Sequence, residues 1–185
     1  WIVIMVKVIS GIYKGRNLNT PDVNTKPTKG SVKEAIFSSL TYKLRDAMVL
    51  DLFAGSGAFG IEALSRGGSF CFFNDLGKEQ YKIISKNISN LGIKNAAVSS
   101  LDYKKSLQNL NEIQKSFDII FIDPPYAMDC YHEILDYLIE NKMLNKNAAL
   151  VLESNKDLDL DKYSELFDIK IKKYGYTIVS ILKLK

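Results

Sequence analysis

The stretch Phe117-Asp118-Ile119-Ile120-Phe121-Ile122-Asp123-Pro124-Pro125-Tyr126 decides the fold of this 185-residue chain. Its apolar first part is typical of a strand that is buried inside a parallel sheet. Two consecutive prolines cannot continue that strand, so they end it and stiffen the turn that follows. In open α/β sheets, the residues just beyond such a strand lie in the crevice where ligands bind. The sequence therefore predicts a ligand site at residues 123–126.

This turn combines a carboxylate, two prolines and an aromatic ring. Asp123 and the carbonyl of Pro124 can present two hydrogen-bond acceptors at a fixed spacing, which Pro125 keeps rigid. An amino group on a planar base would donate to both acceptors while the base stacks on Tyr126. We therefore interpret these four residues as candidate catalytic residues acting on an aminated base.

Strand and helix patterns alternate around this stretch. The strands are predicted at 48–53, 69–74, 97–99, 117–122 and 148–153, and the helices at about 58–66, 78–91 and 130–142. Repeated units of this length predict a doubly wound, mainly parallel sheet. Two further β-rich runs, 167–174 and 176–183, meet at Gly175 with no room for a helix, which predicts an antiparallel hairpin. The expected fold is α/β and Rossmann-like, with a seven-stranded, mainly parallel sheet that ends in this hairpin.

A small N-terminal β-hairpin is predicted where residues 6–10 and 18–20 flank a glycine-containing turn. Ser31, with Glu34 three residues later, has the pattern of a capping box, which predicts a helix to about Lys43. The chain then divides into two parts. We predict a hairpin arm with a lead-in helix over residues 1–45 and the main domain over residues 46–185.

Positive charge is concentrated in the arm. Between Lys7 and Lys33 there are six basic residues and one acid, a local charge of +5, although the whole chain carries only +4. By charge alone, a nucleic-acid-binding arm and an ordinary solvated surface are equally open readings. The basic residues that we predict to bind nucleic acid are Lys14, Arg16, Lys26 and Lys29.

The amino-acid composition limits which other classes of protein this chain can belong to. With 46% hydrophobic residues, 185 residues suffice for one well-buried domain. No run approaches the roughly 18 apolar residues of a membrane span, and we predict a cytoplasmic protein without membrane association or an obligate protein partner. Cys71 and Cys130 lack the spacing of a zinc site, and His132 is the only histidine, so no metal centre is predicted.

A second motif, Asp51-Leu52-Phe53-Ala54-Gly55-Ser56-Gly57-Ala58-Phe59-Gly60, lies where the first parallel strand turns into a helix. Its glycines allow a sharp turn and close approach of the backbone to a ligand, as in NAD and FAD sites. Asp51 would disfavour a phosphate but can pair with an ammonium, which favours the amino acid end of S-adenosylmethionine. The predicted cofactor contacts in this loop are Asp51, Phe53, Ala54, Gly55, Ser56 and Gly57.

Two more aspartates follow predicted strands. Asp75 ends the second strand, where an acid can accept hydrogen bonds from a ribose diol. Asp102 follows the third strand and is predicted to receive the adenine amino group. Each alone fits an ordinary strand-end or turn aspartate equally well; their occurrence together with Asp51 supports a cofactor site.

In the order Asp51–Gly60, Asp75, Asp123–Tyr126, the chain resembles class I S-adenosylmethionine-dependent methyltransferases that carry a (D/N)PP(Y/F) motif. Its N-terminal part is similar to the RsmD family. The motifs that carry this similarity are Val8-Ile9-Ser10-Gly11, Gly15-Arg16-x-Leu18, Lys26-Pro27-Thr28 and Glu34-Ala35-Ile36-Phe37. The resemblance extends from Met5 to the Tyr174-Gly175-Tyr176 turn. It implies methylation of a guanine N2 amino group in bacterial 16S rRNA, within the small ribosomal subunit or its assembly intermediate.

The chain departs from the RsmD pattern at three positions. Arginine is usual where Lys26 and Lys33 stand, so a contact there with a phosphate or the cofactor carboxylate would be made by a point charge. Gly77 stands where a second acid often follows the ribose acid. The glycine loop and the Asp123–Tyr126 turn match, so the resemblance implies an active enzyme.

Three other functions stay open from the residues alone. A DNA adenine-N6 methyltransferase would use the same Asp123–Tyr126 chemistry, although the chain has no inserted region for reading DNA sequence. A noncatalytic RNA-binding module of ribosome assembly would keep the cofactor-binding fold only as a scaffold. The intact Asp51, Gly55 and Asp123 argue against this function. A dehydrogenase is the weakest reading because of the acid that precedes the glycine loop.

Overall fold

The computed structural model describes residues 6–21 and 30–185. Within these ranges no helix is long and apolar enough to cross a membrane. Nine strands and five α-helices occur in the described residues. The strands are β1 Val6–Lys7, β2 Asn17–Leu18, β3 Met48–Asp51, β4 Phe70–Asn74, β5 Ala96–Ser99, β6 Phe117–Ile122, β7 Leu144–Ser154, β8 Phe167–Tyr174 and β9 Thr177–Leu184. The helices are α1 Gly30–Ser39, α2 Ala58–Ser65, α3 Lys78–Leu91, α4 Tyr103–Glu112 and α5 Tyr131–Glu140.

Seven strands form one sheet in the order β5-β4-β3-β6-β7-β9-β8. The pairs from β5 to β7 are parallel, whereas β9 runs antiparallel to both β7 and β8. The last two strands meet at Gly175, whose positive φ of 63° suits the tight turn. The prediction of a mainly parallel, seven-stranded α/β sheet closed by a hairpin is confirmed.

The central strand β6 is apolar because both of its faces are covered. Ile119 and Phe121 belong to a hydrophobic cluster with α1 and α2, while Ile120 and Ile122 belong to a second cluster with α4 and α5. On the first face, the Phe121 ring centroid lies 5.0 Å from that of Phe59 and 5.6 Å from that of Phe37. Burial on both faces thus fixes the two helical layers against one strand.

The N-terminal hairpin is present but shorter than predicted. Its strands β1 and β2 are antiparallel and contain two residues each. Val8 and Leu18 are buried in the same cluster as α1 and the sheet, so the arm packs on the main domain. The division of the chain between residues 45 and 46 stays a prediction.

Several predicted boundaries were wrong. Ser31 is not an N-cap, because α1 already begins at Gly30, and Glu34 instead pairs with Arg66 (Oε2 to Nη2, 2.9 Å). The helix ends at Ser39, before a 3-10 turn at Thr41–Lys43. The predicted strand 148–153 begins earlier, at residue 144, with an irregular register opposite the start of β6. Helix α4 was not predicted at all.

Candidate active site at the carboxyl edge of the sheet

The sheet register brings the predicted site residues to one edge. Asp51 is level with Phe121, the last residue but one of β6, and Ile122 is level with Leu152 on β7. Because β3, β4, β6 and β7 are parallel, their carboxyl ends lie side by side. The glycine loop after β3, Asp75 after β4 and Asp123 after β6 therefore share this edge, as predicted for ligand binding in an open α/β sheet.

Two aspartates hold the glycine loop through its backbone. Asp75 accepts hydrogen bonds from the N–H groups of Gly55 and Gly77, both at 2.9 Å, and Asp51 accepts one from Gly60 at 2.9 Å. Gly55 and Gly57 have positive φ values of 55° and 79°, which side chains rarely allow. No atom lies within 4 Å of the position of an added Cβ at Gly55, so this side of the loop is open to a ligand.

A buried carboxyl group, Asp51, lies at the base of the glycine loop, to which a dinucleotide site would bind a pyrophosphate. Burial raises the pKa of Asp51 to about 7, and the charge of Asp75 adds to this rise, against the hydrogen bond from Gly60. A carboxylate in this position repels a phosphate and attracts a cation. These carboxylate acceptors therefore fit the amino acid end of S-adenosylmethionine better than they fit NAD or FAD. Phe53 and Ala54 lie between Asp51 and the open glycine.

Asp102 has a structural partner. Its Oδ1 accepts a hydrogen bond from the N–H of Lys104 at 2.9 Å, so it is the N-cap of α4. The cap explains why a helix begins here, and it engages one of the two carboxylate oxygens. Contact between Asp102 and an adenine amino group stays a prediction.

The residues of the turn after β6 differ in their exposure to solvent. Pro124 is buried, Asp123 is partly exposed, and Tyr126 exposes 52% of its surface. The carbonyl of Pro125 accepts a hydrogen bond from Met128 N–H at 2.8 Å, which closes the turn. The Tyr126 ring is therefore accessible to a flat ligand, and Asp123 on the same turn is accessible in part.

A fourth carboxylate at this edge, beside Asp51, Asp75 and Asp123, was not predicted from the sequence. Glu153 is buried near the end of β7, one residue after the pair formed by Ile122 and Leu152. Burial, followed by the charges of Glu153 and Asp51, raises the pKa of Asp123 well above its ordinary value. The available indication was an acid directly after the apolar run 148–152, which is the same arrangement that identified Asp51 and Asp123.

The arm is attached to α2 by a buried ion network. The Glu62 carboxylate, with no exposed surface, accepts hydrogen bonds from the N–H groups of Ile9 (2.8 Å) and Ser10 (2.9 Å). It also pairs with Lys33 Nζ at 3.1 Å and Arg66 Nε at 2.8 Å. Lys33 is buried and donates a further hydrogen bond to the Lys7 carbonyl, so it is engaged with the arm itself. Val8 still exchanges backbone hydrogen bonds with Arg16 and Gly15, and Glu62 then binds the N–H groups of the two residues that follow.

The predicted nucleic-acid contacts divide into two groups. Lys14 and Arg16 are exposed on the arm, and Arg16 Nη2 donates to the Asn90 carbonyl on α3 at 3.4 Å. Lys26 and Lys29 lie outside the described residues. Lys14 and Arg16 therefore both have exposed side chains, and Arg16 lies beside α3.

The fold and the carboxyl-edge site together define a class: an S-adenosylmethionine-dependent methyltransferase of Rossmann-like fold. Residues 6–183 match the sequence pattern of the family described as Conserved hypothetical protein 95. The chain is 36% identical over 163 residues to "Ribosomal RNA small subunit methyltransferase D" of Haemophilus influenzae, which covers 84% of this chain and 81% of that protein. The chain belongs to the RsmD family of methyltransferases.

Two further similarities extend over the whole chain. "Putative rRNA methyltransferase YlbH" of Bacillus subtilis is 35% identical over 181 residues, which covers 96% of this chain and 98% of that protein. The solved structure "Putative methyltransferase yhhF from Escherichia coli" superimposes with a TM-score of 0.86 at 28% identity and covers 98% of each chain. The similarity therefore includes the arm as well as the sheet.

Glu62→Gln is expected to destabilise the protein by about 3–5 kcal/mol, because it leaves the buried charge of Lys33 without its counter-ion. Urea unfolding measures this change. The matched control is Glu133→Gln, which breaks an exposed pair with Lys104 and should cost about 1 kcal/mol or less.

The pH dependence of the difference in unfolding free energy between wild type and Glu62→Gln is a further check on the ion network. The hydrogen bonds and cations around Glu62 hold its pKa below the ordinary value of 4.5, although burial alone would raise it. Its stabilising effect is therefore complete above pH 4.5 and is lost as the pH falls through the lowered pKa. A difference between wild type and Glu62→Gln that stayed constant down to pH 3 would contradict the assigned ion network.

Proposed function

We propose that this protein transfers a methyl group from S-adenosylmethionine to the N2 amino group of a guanine in the 16S rRNA of the small ribosomal subunit or its assembly intermediate. The observation that carries the proposal is the Asp123–Tyr126 turn, which lies at the same sheet edge as the loop that begins at Asp51. Family membership supports the reaction class, and the names of the relatives above support an rRNA substrate.

The cofactor would be held by the loop and by the two following strand ends. When bound, it supplies an activated methyl group on a sulfonium, so the protein needs no metal for leaving-group activation. Asp51 would pair with its ammonium and Asp75 would accept from its ribose, while the backbone of the open loop would lie against it. The full set is Asp51, Phe53, Ala54, Gly55, Ser56, Gly57, Asp75 and Asp102.

The target nitrogen is a weak nucleophile because its lone pair is delocalised into the base. Asp123 and the Pro124 carbonyl would accept its two N–H bonds, which favours a more tetrahedral nitrogen that points its lone pair toward the methyl group. Tyr126 would stack on the base and fix its plane. Positive charge moves to the nitrogen during transfer, and the nearby carboxylate stabilises that charge. The nitrogen then loses one proton, which passes to solvent either directly or through the Asp123 carboxylate.

The substrate must expose the target base. Guanine N2 lies on the minor-groove edge, which a paired helix does not present to a recessed turn, so an unpaired or extruded guanine is the natural substrate. The partly exposed Tyr126 ring is accessible to such a base. The arm residues Lys14 and Arg16, together with Lys26 and Lys29, would bind the flanking phosphates.

The test is transfer of labelled methyl groups to small ribosomal subunits from cells that lack the native activity, beside free rRNA and plasmid DNA. We expect N2-methylguanine in rRNA, and a decrease in kcat of at least about 100-fold in Asp123→Asn. The matched control is Asp129→Asn, since Asp129 is an exposed partner of Lys156 and lies outside the proposed contacts.

Each other outcome of this assay has a distinct meaning. N6-methyladenine in DNA would assign the protein to the adenine-specific DNA methyltransferases instead. Cofactor binding without any methyl transfer would instead support a noncatalytic assembly module.

Cofactor binding should depend on pH through Asp51. Because burial raises the pKa of Asp51 to about 7, its ionised fraction increases from pH 6 to pH 8, and only the ionised form pairs with the cofactor ammonium. The Kd of S-adenosylhomocysteine should therefore fall about tenfold over this range, as measured by calorimetry. Asp51→Asn should bind weakly with a flat profile; an equally steep profile in that variant would assign the titration to another group.

Neutralising the arm should weaken RNA binding selectively. Lys14→Gln combined with Arg16→Gln is expected to raise the KM for RNA and to reduce the salt dependence of binding by roughly two units of log–log slope, because two phosphate contacts are lost. Cofactor affinity without RNA should not change. The control is Lys142→Gln combined with Lys146→Gln, since both lysines are exposed near the opposite end of the sheet. Unaltered RNA binding in the arm variant would remove the arm from the proposal.

A further inference from the structure

The side chain of Asn87 on α3 joins two parts of the molecule that are distant in sequence. It is 1% exposed and lies between the arm and the glycine loop. Its Oδ1 accepts hydrogen bonds from Asn19 N–H at 2.8 Å and from Asn19 Nδ2 at 2.7 Å. Its Nδ2 donates to the Asn19 carbonyl at 3.0 Å and to the Ser56 carbonyl at 2.9 Å. A single amide therefore binds the backbone of both segments.

Both of these segments belong to the proposed binding surfaces. Ser56 lies between Gly55 and Gly57, at the point where the loop opens toward the cofactor. Asn19 directly follows β2, three residues after Arg16, which the proposed function assigns to RNA. The Asn87 side chain therefore connects the end of the arm to the middle of the cofactor loop.

Other contacts make this connection rigid. Asp75, which lies just before α3, accepts a hydrogen bond from the N–H of Gly55, the residue before Ser56. Arg16 donates to the Asn90 carbonyl in the last turn of α3. The segment before α3 thus holds the loop through Asp75, and the later turns of α3 hold both the loop and the arm through Asn87 and the Asn90 carbonyl. A displacement of either segment must break hydrogen bonds of an amide that is 1% exposed, and leaving such a buried group unpaired is costly.

We propose that Asn87 is a positioning residue that couples the cofactor loop to the arm, so that RNA and cofactor bind cooperatively. The inference rests on the proposed function, because it takes the arm as the RNA contact. RNA on the arm restrains Asn19, Asn19 restrains the Asn87 amide, and the amide restrains Ser56 in the loop. By linkage, the cofactor then strengthens RNA binding by the same factor as RNA strengthens cofactor binding.

A purely structural role for Asn87 makes a different prediction. Loss of a buried hydrogen-bonded amide would lower the stability and weaken both ligands, but it would leave the ratio between cofactor affinities with and without RNA unchanged. The ratio is therefore the informative quantity, and it does not depend on how much stability a variant loses.

The experiment measures the Kd of S-adenosylhomocysteine with and without a saturating rRNA fragment that contains the target guanine. In the wild type, RNA should lower this Kd by about fivefold or more. Asn87→Asp keeps the shape and the acceptor but removes both N–H donors, so its ratio should be close to one. The matched control is Asn111→Asp, which removes an amide donor to Asn141 on the other face of the sheet and should keep the wild-type ratio.

A milder variant guards against failure of Asn87→Asp to fold. Asn19→Ala changes an exposed residue and removes one of the four hydrogen bonds, so its ratio should fall between those of wild type and Asn87→Asp. A wild-type ratio of one, or a wild-type ratio preserved in both variants, would overturn the coupling.

The same samples separate this inference from the proposed function. RNA that is methylated by the wild type without any change in cofactor Kd would overturn only the coupling. RNA that is neither bound nor methylated would overturn the proposed function and, with it, the assignment of the arm.

Discussion

Burial of β6 on both faces is the constraint on which the rest of the structure depends. Its alternating side chains pack against α1 and α2 on one side and against α4 and α5 on the other, so one strand sets the position of both helical layers. The same burial determines where the strand can end. Pro124 and Pro125 stop the hydrogen-bonding pattern at the sheet edge, and the chemistry proposed for Asp123 begins at that point.

The carboxyl edge has an electrostatic cost in the absence of ligands. Asp51 and Asp123 lie in surroundings that disfavour negative charge, and the raised pKa values of both groups express this cost. A ligand with both a sulfonium and an ammonium group relieves the repulsion among the acids. Under the proposed function, a cationic cofactor at this edge would be favoured by the same acids whose pKa values are raised, which is a common relation between stability and function at binding sites.

Local patterns in the sequence accounted for the sheet, the glycine loop and the Asp123–Tyr126 turn, because prolines, glycines and apolar runs act on their immediate neighbours. Helix α4 was missed although Tyr103, Leu107 and Leu110 have helical spacing and are buried, because the many polar residues between them resembled a loop. The contacts of Glu62 and Asn87 could not be predicted. Their contacts with residues 9, 10 and 19 join positions more than 50 apart in the chain, and no periodic pattern identifies which buried polar side chain will bind which backbone group.

The two-residue strands of the arm have a consequence for how the molecule could be altered by recombination. A hairpin this short is not stable alone, and much of its backbone bonding comes from Glu62 and Asn87, which lie on helices of the main domain. The arm is therefore not an exchangeable module, although it stands apart in the sequence. A chimaera that transplanted only the first 45 residues onto another methyltransferase would leave behind the side chains that give the arm its shape.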